Sequence, residues 1–175
     1  MTGEHVTGQH VTGPATCRLD DAALLAQCTV SWFRSSGPGG QHANKTDSAV
    51  RIAHRSSGAT AQCQDHRQRE RNIAEALVRL RLRLACTQRG GSDPAWLDPY
   101  RRGRQLTLGA NARDYPAVVA CALDALAAAR GSLAEAGAVL GISTSQLARL
   151  LCADGDVRAA ANALRAEHGA GPLHD

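Results

Sequence analysis

Aromatic side chains are scarce, at 3% of the 175 residues, so the hydrophobic core must be built mainly from Ala, Leu and Val, which suits packed helices. Long apolar runs are also lacking, since no stretch approaches the roughly 18 residues that are needed to cross a bilayer. The first sixteen residues have neither the cationic start nor the apolar centre of a signal peptide. These absences predict a protein that is neither secreted nor embedded in a membrane.

Closely spaced metal ligands are lacking as well. The six cysteines lie far apart without any CxxC pair, whereas a zinc module or a redox dithiol needs neighbouring ligands. The seven histidines are equally scattered. We therefore predict no metal site and no cofactor. We interpret the cysteines as free, mostly buried thiols in a reducing compartment; they are Cys17, Cys28, Cys63, Cys86, Cys121 and Cys152.

Positive charge is concentrated in the middle of the chain. Residues 35–105 hold Lys45 and twelve arginines against six acidic residues, whereas residues 106–175 hold five arginines against seven acidic residues. This distribution predicts a polyanionic partner for the central segment only. Because nearly every cation is arginine, the bias is also consistent with a GC-rich genome.

The order of local patterns predicts an α+β fold in four segments. Residues 1–27 are expected to form a flexible lead-in with one short helix near Asp20. Residues 28–86 are expected to form a small β-sheet, built on a hairpin, that packs on one long helix. Residues 87–105 are basic and rich in Gly and Pro, which is typical of a linker. Residues 106–175 are rich in alanine and predict a small all-helical module, separate from the first unit.

Within residues 28–86, three strands and a helix are predicted. Thr29–Phe33 is rich in β-branched and aromatic residues, Ser48–His54 alternates, and Ala59–Gln64 returns after a turn. The helix is expected to begin at Asp65 as its N-cap, with Gln68 at capping-box spacing. Its apolar stripe consists of Ile73, Leu77, Leu80 and Leu84.

Within residues 106–175, helices are predicted over Tyr115–Arg130 and Leu133–Leu140, with Gly141 ending the second. Ser143 is expected to cap a third helix and Asp156 a fourth. The turn after Leu140 makes the second and third helices similar to a helix-turn-helix. Its predicted core residues are Ala136, Leu140, Ile142, Leu147 and Leu150.

A glycine-rich loop joins the first two strands. Gly37, Gly39 and Gly40 surround Pro38 and give a backbone that can approach another molecule closely. The loop holds no ordinary catalytic acid, Cys or Ser–His pair, but the backbone N–H of Gln41 can face developing negative charge. On the residues alone, a catalytic loop and a plain surface turn both fit.

The continuous sequence RSSGPGGQHANKTDSAVRIAH, followed by QCQDHRQRERNIAEAL, resembles the peptidyl-hydrolysis domain of class I peptide-chain release factors. The resemblance covers about residues 28–86. It rests on the Gly39-Gly40-Gln41 tripeptide, its long continuation and the arginine-rich helix that follows. One departure is Ala43, where the family often carries Val.

The resemblance implies hydrolysis of the ester that joins a nascent peptide to tRNA in the ribosomal peptidyl-transferase centre. Gly39, Gly40 and Gln41 would be the catalytic residues, with water as the nucleophile and no cofactor. The ribosome, through large-subunit rRNA and peptidyl-tRNA, would be the partner, and a glutamine methyltransferase acting on Gln41 a further one. The RNA-binding residues would be Arg34, His42, Asn44, Lys45, Arg51, Arg67, Arg69, Arg71, Arg79, Arg83, Arg101, Arg102 and Arg104.

Stop-codon-reading members of that family carry a separate decoding domain before the hydrolysis domain, and only about 28 residues precede it here. The chain therefore resembles the short, codon-independent ribosome-rescue members, which implies a bacterial cytoplasmic factor. Those members commonly end in a flexible basic tail, whereas here Tyr100-Arg101-Arg102-Gly103-Arg104 is followed by the acidic helical module, whose partner the sequence does not reveal. Two alternatives stay open: a ribosome-binding factor without hydrolysis, and a DNA-binding regulator.

Overall fold

A computed structural model of the chain describes residues 14–33, 48–90 and 93–174. The fold is α+β, with a small sheet and several helices, as predicted. The elements are α1 (Pro14–Arg18), α2 (Asp21–Ala26), β1 (Cys28–Phe33), β2 (Ala49–His54), β3 (Thr60–Cys63), α3 (Arg69–Thr87), a 3-10 helix (Pro94–Tyr100), β4 (Arg101–Arg102), β5 (Gln105–Leu106), α4 (Tyr115–Ala128), α5 (Leu133–Leu140), α6 (Thr144–Cys152) and α7 (Gly155–Ala166).

The three predicted strands form one antiparallel sheet in the order β1-β2-β3. Val50 and Ile52 of β2 are fully buried, whereas Arg51 between them is exposed. This alternation places one face of the sheet against α3, because successive side chains of a strand point to opposite faces. Phe33 pairs with Ala49 at one end of the β1–β2 ladder, and Cys28 pairs with His54 at the other.

Helix α3 buries three residues of the predicted stripe and part of the fourth, Ile73, but begins later than predicted. Leu77, Leu80 and Leu84 are at most 1% exposed. The expected N-cap at Asp65 is wrong: the helix starts at Arg69, and the side chain of its N-cap residue Gln68 makes no capping hydrogen bond. Asp65 instead accepts a hydrogen bond from Nη2 of Arg79 at 2.6 Å, so its carboxylate faces the flank of α3 rather than its N-terminal N–H groups.

Residues 14–26 form two short packed helices within the predicted flexible lead-in. Cys17 and Leu24 are buried in the core, and Asp20 caps α2 by accepting from the Ala23 N–H at 2.7 Å. Arg81 of α3, 5% exposed, holds this segment: its Nη2 donates to the Leu19 carbonyl at 2.7 Å and lies 2.8 Å from the Asp21 carboxylate. A buried guanidinium needs such partners, which explains why one arginine of α3 lies on its packed side.

The segment predicted as a linker is also structured where it is described. The 3-10 helix buries Leu97 completely, and Asp93 caps it by accepting from the Ala95 N–H at 2.9 Å. Arg101–Arg102 then pairs with Gln105–Leu106 in a two-stranded hairpin. Gly103, at the tip of this hairpin, adopts a φ of 57°, a left-handed conformation that favours glycine.

The four helices of the C-terminal part follow the predicted order. Gly141 ends α5 with a φ of 67°, and Ser143 caps α6 by accepting from the Gln146 N–H at 3.3 Å. All five residues predicted as the core of the helix-turn-helix are at most 6% exposed. The predicted cap of α7 at Asp156 is wrong, because Asp154 accepts from the N–H groups of Asp156 and Val157.

One hydrophobic core continues across residue 87, in contrast to the separate helical module predicted from composition. Helix α4 is buried over eleven of its fourteen residues and packs against α3 and α1 as well as α5 and α7. A helix that is apolar all round is stable only when it is covered on most sides. The predicted domain boundaries stay a prediction. In the described part of the chain, α4 packs against helices that precede residue 87 and against helices that follow it.

We expect Leu123→Ala in α4 to destabilise the whole chain, because Leu123 is fully buried in this shared core. Its removal should lower the free energy of unfolding by about 2–5 kcal/mol. Urea unfolding followed by far-ultraviolet circular dichroism and by tryptophan fluorescence should give one coincident transition. If the two signals separated into independent transitions, the shared core would be contradicted.

Candidate functional site

The predicted catalytic residues Gly39, Gly40 and Gln41 lie outside the described residues, and so do Arg34, His42, Asn44 and Lys45. The structure does place the two ends between which they lie. Phe33 ends β1 and its ladder partner Ala49 begins β2. Residues 34–47 therefore connect adjacent antiparallel strands at a single end of the sheet.

Asn72 anchors one of these ends. Its side chain is fully buried at the start of α3. Its Nδ2 donates to the Ser48 carbonyl at 2.7 Å and to the His66 carbonyl at 2.8 Å. Its Oδ1 accepts from the His66 N–H at 2.9 Å and lies 3.3 Å from the Cys63 Sγ. One amide thus joins the entry to β2, the turn after β3 and the first turn of α3.

Asn72 was missed in the sequence analysis, although a signal exists. It lies four residues before Ala76 and eight before Leu80, on the buried side of α3. A polar residue on such a stripe must satisfy its hydrogen-bonding groups inside the protein. The spacing therefore indicates an internal anchor, whereas its partners on β3 and before β2 follow only from the three-dimensional structure.

Four of the predicted RNA-binding arginines are exposed near this end of the sheet. They are Arg51, Arg67, Arg69 and Arg71. The guanidinium of Arg51 lies 5.8 Å from the centre of the Phe33 ring, and that of Arg69 lies 4.9 Å from the centre of the Trp32 ring. Arg67 and Arg71 have no side-chain partner among the described residues. The surface beside the loop ends is therefore cationic, as the charge distribution predicts.

Arg79 and Arg83 are held by contacts within the protein. Arg79 donates to the Asp65 carboxylate and, at 3.0 Å, to the Gln62 carbonyl. The hydrogen bond between Arg79 and Asp65 lowers the pKa of Asp65 and raises that of Arg79, because it favours the charged forms of both. Arg83 donates to the Thr60 carbonyl and lies 3.8 Å from the Asp156 carboxylate. Both arginines thus fasten α3 to β3 as well as contributing charge.

Arg101, Arg102 and Arg104 belong to the β4–β5 hairpin. Arg101 pairs with Asp98 at 2.7 Å and donates to the Leu140 carbonyl at 3.0 Å, so it docks the hairpin on the turn between α5 and α6. The Ser143 N–H donates to the Arg104 carbonyl at 2.9 Å. The side chains of Arg102 and Arg104 are exposed. Nη1 of Arg102 donates to the Arg101 carbonyl at 2.9 Å, so Arg102 is partly held by the hairpin itself.

Burial keeps two of the thiols protonated, and the described ranges hold no cluster of metal ligands. Burial raises the pKa of Cys17 to about 12 and that of Cys86 to about 11, so both remain protonated and weakly nucleophilic at neutral pH. Burial and the nearby Arg55 lower the pKa of His54, whose ring nitrogens lie within hydrogen-bonding distance of Ser57 and Gln27. In the described ranges, no three His, Cys, Asp or Glu side chains gather as metal ligands, and no helix is long and apolar enough to span a bilayer.

We expect Asn72→Ala to loosen the anchor of β2. The change leaves the Ser48 carbonyl and both backbone groups of His66 without their partner, and should lower the free energy of unfolding by about 2–4 kcal/mol. The His66 amide should also exchange its hydrogen faster, which is measured by amide hydrogen exchange. Asn111→Ala, at an exposed asparagine, is the matched control. Unchanged exchange at His66 in Asn72→Ala would contradict this role.

Comparison with known proteins connects this sheet and helix to a family. Residues 25–97 match the model of the RF-1 domain. Peptide chain release factor 1 of Nitrosospira multiformis is 46% identical over 76 residues, which cover 43% of this chain and 21% of that protein. Peptide chain release factor 2 of Burkholderia pseudomallei is 52% identical over 59 residues, 34% of this chain and 16% of that protein. Peptide chain release factor 2 of Burkholderia cenocepacia gives the same values.

The chain thus spans about a fifth or less of the length of these relatives. The matched region contains β1, β2, β3 and α3, together with residues 34–47 between the first two strands. It confirms the resemblance drawn from the glycine-rich loop and the helix that follows. Residues 25–97 are therefore an RF-1 domain, the GGQ-bearing domain of class I peptide-chain release factors.

Proposed function

We propose that the chain hydrolyses the ester bond of peptidyl-tRNA on the ribosome. The observation that carries this proposal is the RF-1 domain over residues 25–97, with the tripeptide Gly39-Gly40-Gln41 between β1 and β2. Near that end of the sheet, burial raises the pKa of the Cys63 thiol, which disfavours its reactive thiolate. The chemistry is accordingly assigned to the loop and to the ribosomal site that the loop enters.

In the proposed reaction, a water oxygen attacks the carbonyl carbon of the ester. The bond between that carbon and the ribose oxygen of tRNA breaks, and the ribose oxygen takes up a proton. The products are a peptide with a free carboxylate and a deacylated tRNA. The backbone N–H of Gln41 stabilises negative charge in the transition state, while Gly39 and Gly40 allow the close approach of the backbone. The Gln41 side chain positions water and excludes other nucleophiles.

The folded part of the domain positions the loop in this proposal. The β1–β2 ladder fixes the spacing of its ends, and Asn72 fixes the entry to β2 against α3. Arg51, Arg67, Arg69 and Arg71 provide exposed positive charge for rRNA phosphates. Because Arg79 and Arg83 are held by internal partners, we assign them a smaller share of that binding.

We further propose that release is independent of a codon, and occurs on stalled ribosomes or split large subunits in the bacterial cytoplasm. The matches to release factors that support this cover 59 to 76 residues, which are 16% to 21% of those relatives. After residue 97, the exposed Arg102 and Arg104 on the β4–β5 hairpin are the proposed RNA contacts. A glutamine methyltransferase is a proposed partner of Gln41.

DNA recognition is disfavoured as a second function. Helix α6 carries a single cation, Arg149, whose Nη2 donates to the Gln146 side chain at 2.7 Å. A recognition helix needs several cationic and polar groups that can reach base edges and phosphates. The remaining alternative, a ribosome-binding factor that does not hydrolyse the ester, is distinguished by measuring release.

We expect Gln41→Pro to lower the rate of peptide release by about 100- to 1,000-fold, because proline has no N–H to stabilise the developing charge. Gln41→Ala retains that N–H and isolates the contribution of the side chain. Release of labelled peptide from ribosomes stalled at the end of a truncated message measures the rate, and ribosome pelleting measures binding, which should persist. Gln64→Ala, at an exposed glutamine, is the control. Wild-type release by Gln41→Pro would contradict the mechanism.

We expect the double substitution of Arg102 and Arg104 by alanine to weaken ribosome binding through lost phosphate contacts. The slope of log affinity against log salt concentration should become shallower by about 2, one unit for each contact. Binding measured over a series of salt concentrations tests this. Substitution of the exposed Arg113 and Arg130 by alanine is the control. An unchanged slope would exclude the hairpin from RNA binding.

A further inference from the structure

Trp32 is a partly exposed aromatic residue in a chain that has few aromatic residues. The sequence contains two tryptophans, and each has an arginine over its ring: Arg69 lies 4.9 Å from the Trp32 ring and Arg18 lies 4.5 Å from the Trp96 ring. Trp96 packs against the hydrophobic core. Trp32, in contrast, is 38% exposed at the end of β1, so the two similar pairs have different surroundings.

The position of Trp32 follows from the sheet. Trp32 pairs with Val50 and Val30 pairs with Ile52, so both lie on the face whose β2 residues are buried. β1 is an edge strand, and Val30 and Trp32 are 37% and 38% exposed. The face of the sheet that packs on α3 thus extends, along β1, into a strip that α3 covers only in part.

The charged group in contact with this strip is positive. Arg69, the first residue of α3, lies over the indole, and its exposed sequence neighbours include Arg67, Arg71 and the acidic Glu70. On the opposite face of β1, Arg51 lies over Phe33. An apolar protein surface placed here would have to desolvate these guanidinium groups, which is costly without compensating charges. A ligand that fits must combine a flat aromatic face with nearby negative charge.

An unpaired RNA nucleotide has both properties. Its base stacks on aromatic side chains and on guanidinium planes, and its phosphate pairs with arginine. We infer that Trp32 is a stacking site for one unpaired RNA base, with Arg69 over the indole supplying the charge for an adjoining phosphate. The inference rests on the proposed function only in that the RNA would be ribosomal. Trp32 is the second-to-last residue of β1, so the base would bind near the end of the strand that residues 34–47 follow.

Two single-tryptophan variants test this directly. Trp96→Phe leaves Trp32 as the only tryptophan, and Trp32→Phe leaves Trp96. Both are titrated with a single-stranded oligoadenylate RNA and, separately, with isolated large ribosomal subunits. We expect the emission of Trp32 to be quenched on binding of the RNA, because stacking on a base brings the two ring systems into contact. The emission of Trp96 should stay unchanged.

Affinity provides the second measurement. Trp32→Ala should weaken binding of the RNA by about 5- to 100-fold without changing the dependence of affinity on salt, since no phosphate contact is lost. Trp32→Phe, which keeps an aromatic ring, should restore most of the affinity. Val139→Ala, at a valine that is 62% exposed on α5, is the matched surface control. Thermal unfolding verifies that each variant is folded.

The outcomes separate this inference from the proposed function. Quenching of Trp32 together with weaker binding by Trp32→Ala supports the stacking site, whether or not the wild-type chain releases peptide. If release occurs, Trp32→Ala should raise the factor concentration needed for half-maximal release. Unchanged Trp32 emission at saturating RNA, no binding of RNA by the wild type, or wild-type affinity of Trp32→Ala would each overturn the inference.

Discussion

The burial of one side of α3 is the constraint on which the other parts of the structure depend. Leu77, Leu80 and Leu84 are removed from water by the sheet and by the helices that follow, and burial of such side chains contributes about 1.5–3 kcal/mol each. The same helix holds α2 through Arg81 and β3 through Arg79. Removing α3 would expose the covered face of the sheet and the adjoining face of α4 together.

The candidate site depends on this helix in two ways. The amide of Asn72, in the first turn of α3, fixes the backbone just before β2, and Arg69 lies over Trp32 at the end of β1. The strand that precedes residues 34–47 and the residue that follows them are thus both in contact with α3. A catalytic backbone N–H stabilises charge only when its position is fixed before the reaction, and α3 provides that fixed reference in the proposed function.

Local patterns were sufficient to predict much of the fold. Alternation located β2 and its buried Val50 and Ile52, and the spacing of leucines located α3. Gly141 and Ser143 marked the turn between α5 and α6, because each conformation there depends on a single residue. The caps predicted at Asp65 and Asp156 were wrong because a carboxylate near a helix start can have other partners, or a competitor for the same role. Asp65 pairs with Arg79 instead, and Asp154 caps α7 in place of Asp156.

Contacts between segments that are distant in the sequence could not be predicted from local patterns. Asn72 joins residues up to 24 positions apart, and Arg81 reaches 62 positions back to Leu19. The change of composition after residue 105 indicated a separate module, yet α4 is covered by helices from both sides of it. For the site, the motif predicted the chemistry, while the anchoring residue and the exposed Trp32 required the structure.

The most direct test of the central claim is the source of the oxygen in the released peptide. Ribosomes carrying labelled peptidyl-tRNA on a truncated message are treated with the protein in water enriched in heavy oxygen, and the released peptide is analysed by mass spectrometry. Hydrolysis predicts release, with one heavy oxygen incorporated into the new carboxylate. Retention of the peptide on tRNA, or release without incorporation of heavy oxygen, would contradict the assignment of the chain as a peptidyl-tRNA hydrolase.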